Sequence, residues 1–162
     1  MATLTVWRFP DANGADRAEA TLERLQKERL IKVHDAAIVS WPDGAKKPKT
    51  RQLNDLTGVA ALSGSFWGLL FGLIFLVPLI GMAVGAGMGA LAGSMSDVGI
   101  DDDFINGVRD QVTPGTSALF VLSSEAVLDK IHNVFVTGEN AELIQTNLDD
   151  EQEAKLRDVF AV

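Results

Sequence analysis

Between positions 56 and 96 the chain carries no Asp, Glu, Lys, Arg or His, a run of 41 uncharged residues in a protein of 162. Within that run glycine recurs at every fourth position, at Gly64, Gly68 and Gly72 and again at Gly81, Gly85, Gly89 and Gly93. A glycine inside a helix costs up to about 1 kcal/mol relative to alanine, so a strict repeat implies a compensating contact. Spacing of four sets each group along one stripe of its helix. Pro78 stands between the two groups, and proline interrupts a helix interior. The run is therefore expected to fold as a hairpin of two long apolar helices turning at Pro78. That fold sets Gly64 opposite Gly93, Gly68 opposite Gly89 and Gly72 opposite Gly85, a glycine zipper with close backbone contact as in GxxxG packing.

Each arm, of about 20 residues, is long enough to cross a hydrocarbon layer about 30 Å thick. Lys46, Lys47, Lys49 and Arg51 precede the first arm, where each would gain about 1 kcal/mol near an anionic leaflet. These four are the expected membrane-surface contacts. The second arm has small residues on a further face, Ala83, Ala86, Gly87 and Ala90, which implies more than one close neighbour and hence a homo-oligomer. Trp67 falls halfway along the first arm, away from the interfaces where tryptophan usually sits. It reads as a packing residue.

The flanks have a different character. Residues 2–9 read as a strand ending at Pro10. A helix over 14–29 carries Ala18, Leu22 and Leu25 on one face, with Asp11 or Asn13 as its cap. A second strand at 31–41, a turn at 42–48 and a short strand at 49–53 follow. Beyond the run come a helix with Phe104, Val108 and Val112 on one face, a turn at 113–116, and an apolar strand at 117–123 that reads as covered on both sides. A helix over 125–135, a strand at 141–148 and a last helix opened by Asp149 and Gln152 as a capping box complete the chain. The expected fold class is α+β, a ferredoxin-like antiparallel sheet with helices on one face. Residues 1–53 and 97–162 would form that domain, with 54–96 as the inserted hairpin.

Little in the sequence points to chemistry. There is no cysteine, which excludes a thiolate nucleophile or a Cys-based metal site. The net charge of −8 argues against a nucleic-acid partner, whose phosphates need cations. Asp101, Asp102 and Asp103 lack the calcium-loop spacing and read as a helix cap with first-turn acids. His34 and His132 have no neighbouring ligand set and read as structural. The N-terminal "MATLTVWRFPD" lacks the pattern of a signal peptide. No cofactor, metal or catalytic residue is expected, and the protein is not expected to be an enzyme.

The segment "RQLNDLTGVAALSGSFWGLLFGLIF" with its following proline, the glycine-rich second arm, "GIDDDF" at 99–104 and "TPGTSALFVL" at 113–122 resemble a bacterial group. It is the domain-of-unknown-function family twelve-sixty-nine, glycine-rich hairpin membrane proteins without an assigned role. That resemblance implies membrane association and transfers no active site. The resulting expectation is a non-enzymatic, self-assembling protein of the inner (cytoplasmic) membrane, its α/β domain in the cytoplasm, acting as a scaffold or membrane-organising component. The alternative is a soluble homo-oligomer whose hairpins form an internal core that binds an apolar ligand or lipid.

Overall fold

The computed structural model describes residues 2–53, 64–76, 99–124, 130–131, 133–137, 141–148, 151–152 and 154. Five strands, β1 (Ala2–Phe9), β2 (Lys32–Ser40), β3 (Lys49–Gln52), β4 (Ser117–Ser124) and β5 (Glu142–Leu148), form one sheet in the order β3-β2-β4-β1-β5. Every pairing is antiparallel. Helix α1 (Gly14–Lys27) follows β1. Helix α2 (Gly64–Phe71) runs into a π-helical turn, Gly72–Leu76. Helix α3 (Asp102–Gln111) precedes β4, and a second π-helical segment, Asn133–Thr137, precedes β5.

The strand residues decide where the helices go. Seven of the eight β4 residues are buried, so both of its faces are covered. In register, Phe120 lies beside Val6 and Ala37, and Leu122 beside Leu4. These residues share one core with Phe66, Trp67, Leu70, Phe71 and Ile74 of α2 and its π turn, and with Phe104, Ile105 and Val108 of α3. On the opposite face Trp7, Ile38, Leu119 and Val121 meet Ala18, Leu22 and Leu25 of α1 together with Ile131 and Phe135. The expectation of helices on one face is thereby corrected. A strand apolar on both sides needs cover on both sides.

The long apolar hairpin is corrected as well. The described part of the first arm is an eight-residue α-helix and a five-residue π turn, and no helix among the described residues is long and apolar enough to cross a membrane. Fold class is accordingly a mixed α/β fold built on a five-stranded antiparallel sheet, not a ferredoxin-like sheet with an inserted apolar hairpin. The reason lies in which stripe of α2 is buried. Phe66, Leu70 and Ile74 recur at helical spacing and are each fully buried, with Trp67 and Phe71 beside them. Burying Phe66, Leu70, Phe71 and Ile74 contributes about 1.5–3 kcal/mol each, which outweighs the cost of up to about 1 kcal/mol per helical glycine. The bulky stripe faces the sheet, and Gly68 on the other side is exposed. No glycine zipper is formed by Gly68 or Gly72 among the described residues, where nothing lies within 4 Å of an added Cβ at either position. The turn at Pro78 and the second ridge, Gly81, Gly85, Gly89 and Gly93, lie outside the described residues.

Arg109 fixes the end of this element. From α3 its Nε donates to the Ile74 carbonyl at 2.9 Å and its Nη2 to the Leu73 carbonyl at 2.6 Å, while Nη1 donates to Asn106 Oδ1 at 2.9 Å. Helix α3 starts as its acids suggested, with Asp101 Oδ1 accepting from the Phe104 N–H at 2.9 Å. Helix α1 does not. Asn13 makes no side-chain capping bond; the Asp11 carboxylate instead binds Arg17 Nη2 at 2.9 Å. The cap comes from β4, where Ser117 Oγ accepts from the Ala15 N–H at 2.9 Å and donates to the Asp11 carbonyl at 2.7 Å. Gly14 fits this junction because a Cβ there would sit 2.4 Å from Phe9 Cβ.

Candidate functional site

Strand β3 is a sheet edge, and its pleat divides the basic residues between two sides. Thr50 pairs with Val39 and Gln52 with Ala37, so both lie on the α2 side; Lys49 and Arg51 pair with Ser40 and Ile38 on the α1 side. Arg51 Nη2 there meets Glu19 Oε2 at 2.8 Å and Asp16 Oδ1 at 3.4 Å. The hydrogen bond to Glu19 holds the Arg51 guanidinium above its ordinary pKa. Because Arg51 and Asp16 are about half exposed and Glu19 about a quarter, the pairs are worth at most about 1 kcal/mol. Their main consequence is that the charge of Arg51 is already compensated. Lys46, Lys47 and Lys49 are exposed.

Between β3 and α2 runs a groove of about 430 Å³, within the range of about 300–1,000 Å³ usual for small-molecule sites. One wall is Lys47, Pro48, Thr50 and Gln52, with Arg51 at the edge; the other is Trp67, Phe71 and Phe75, with Gly68 and Gly72 between them. The aromatic wall is packed ring against ring. Trp67 stacks on Phe71 with ring centres 5.8 Å apart, and both meet Phe120 edge-on, at 6.3 and 5.1 Å. Phe75 meets Trp41 edge-on at 5.7 Å. Trp41 Nε1 in turn donates to the Ala45 carbonyl at 3.0 Å, which ties the basic turn to the same wall.

One polar atom of that wall is left over. Trp67 Nε1 is buried and has no acceptor among the described residues, although a buried indole N–H usually finds one and its absence costs about 1–3 kcal/mol. Near the Gln52 end lies a buried acid, Asp35, only 1% exposed. Its oxygens accept from Gln52 Nε2 at 3.1 and 3.3 Å and from the Ala36 N–H at 2.9 Å. Asp35 follows a β-bulge at His34, whose Nε2 lies 2.9 Å from Ser124 Oγ.

Of the residues singled out from sequence, the structure brings Lys47, Arg51, Gly68 and Gly72 to one groove. Gly64 opens α2, while Lys46 and Lys49 stand outside the groove. His132 lies outside the described residues. Asp35 and Gln52 were missed, although an acid inside the apolar strand "KVHDAAIVS" was a visible signal of a buried carboxylate. Among the described residues the groove lining has no carboxylate or imidazole, and no cluster of three His, Asp or Glu is placed to hold a metal ion. What the groove offers is aromatic surface, bare helix backbone and a basic rim.

A family model described as a protein of unknown function (DUF1269) matches residues 61–161. No curated protein and no solved structure matches.

Proposed function

The chain belongs to this family of unknown function, DUF1269, and from that premise we propose that it is a non-enzymatic binding module holding an apolar molecule in the groove between β3 and α2. One observation carries this reading. Among the described residues nothing covers Gly68 or Gly72, so a ligand could lie directly on helix backbone beside the Trp67, Phe71 and Phe75 rings. Apolar walls with a few polar groups are the usual make-up of such sites.

A neutral, environment-sensitive dye titrated into the purified protein in plain buffer should brighten with saturable, single-site behaviour. Gly72→Leu, which fills open space without displacing any described atom, should weaken that binding at least about tenfold, or about 1.4 kcal/mol. Its thermal unfolding should stay close to that of the parent. Unaltered dye binding by folded Gly72→Leu, or no saturable binding by the parent, would contradict the reading.

A further inference from the structure

Resting on that reading, we infer that the molecule held in the groove is a single-chain acyl carboxylate, with its head at Lys47 and its chain along the aromatic wall. Two observations point to an anionic, oxygen-bearing head and a third to an unbranched chain. The first is charge. The protein as a whole carries −8, yet positions 43–51 hold Lys46, Lys47, Lys49 and Arg51 against the single acid Asp43. Arg51 is compensated by Glu19 and Asp16 on the far side of β3. Among the described residues Lys47 is thus the groove-lining cation left without an ion-pair partner. In an acidic protein that repels anions generally, a lone basic rim on an apolar groove selects an anion carrying an apolar body.

The second observation is Trp67 Nε1, a covered donor on a residue of the groove wall, with no acceptor among the described residues. Buried polar atoms without partners are rare enough to call for a missing one, and a carboxylate oxygen is an acceptor with spare lone pairs. The third is shape. Gly68 and Gly72 leave a smooth strip of backbone beside flat rings, which suits an unbranched methylene chain. Within the groove no acidic side chain of the described residues opposes the head.

Dodecanoate and dodecanol share one chain and differ in the head, so displacement of the neutral dye by each isolates the proposed contact. Dodecanoate should compete about tenfold better than dodecanol at neutral pH and low salt. Lys47→Gln should abolish that ratio, whereas Lys46→Gln, outside the groove, should keep it. Equal competition by acid and alcohol would overturn the carboxylate assignment while leaving the apolar groove standing. So would tighter competition by dodecyl phosphate, or a ratio that survives Lys47→Gln or falls equally in Lys46→Gln. Failure of both amphiphiles to displace the dye would overturn the inference, and failure of the dye itself would remove the groove reading beneath it.

Discussion

Phe120→Ala is expected to lower the free energy of unfolding by about 3–5 kcal/mol, the range for truncating a buried aromatic in a core that cannot collapse around the gap. Phe120 is fully buried on the central strand. Its lateral neighbours include Ala37, too short to fill the space. It also supports the rings of Trp67 and Phe71 edge-on, contacts worth about 0.5–1.5 kcal/mol each beyond area burial. The loss should appear in urea unfolding as a lower midpoint with an unchanged slope, since the surface exposed on unfolding stays nearly the same. Phe135→Ala, which empties the opposite core, should cost a similar amount without loosening α2. A cost below about 1 kcal/mol for Phe120→Ala would mean that α2 does not rest on β4.

Arg109→Met should cost about 1.5–3 kcal/mol, the worth of hydrogen bonds from a charged donor. Methionine keeps much of the stem's apolar contact, so the loss reports the guanidinium. Its bonds to the Leu73 and Ile74 carbonyls join α3 to the π turn. The effect should therefore be uneven: native-state hydrogen exchange should quicken across 64–76 while β1 and β4 keep their protection. Uniform quickening across the sheet would assign Arg109 a global role instead of a local clamp.

Much of the architecture could be read along the chain because its signals are local. The β-branched stretch of β1, the Ala18, Leu22 and Leu25 stripe of α1, and the Asp101 cap of α3 each depend on neighbours within a few positions. The doubly apolar β4 even announced that helices must cover both sheet faces, a consequence that the one-sided helix arrangement overlooked. Helix α2 could not be placed this way. A helix with a bulky stripe and a bare stripe can bury either one, and hydropathy is the same whether the bulky side meets lipid or a sheet. Only the positions of Val6, Ala37 and Phe120, far off in sequence, decide it. The groove was hidden for a related reason. Lys47 and Arg51 stood out as a basic cluster, and Gly68 and Gly72 as a packing stripe. Nothing local says that β3 and α2 lie side by side.

That placement is the central claim: residues 64–76 cover the sheet with their aromatic side, and Gly68 and Gly72 face away from it, uncovered by the described residues. The most direct measurement is the nuclear Overhauser contact between the Phe71 and Phe120 rings, whose centres lie 5.1 Å apart, in detergent-free buffer. A clear cross-peak between those rings, accompanied by one between Trp67 and Phe120, is the predicted result. Contact between the glycine protons of Gly68 or Gly72 and a sheet residue, with the Phe71 ring making none, would contradict it.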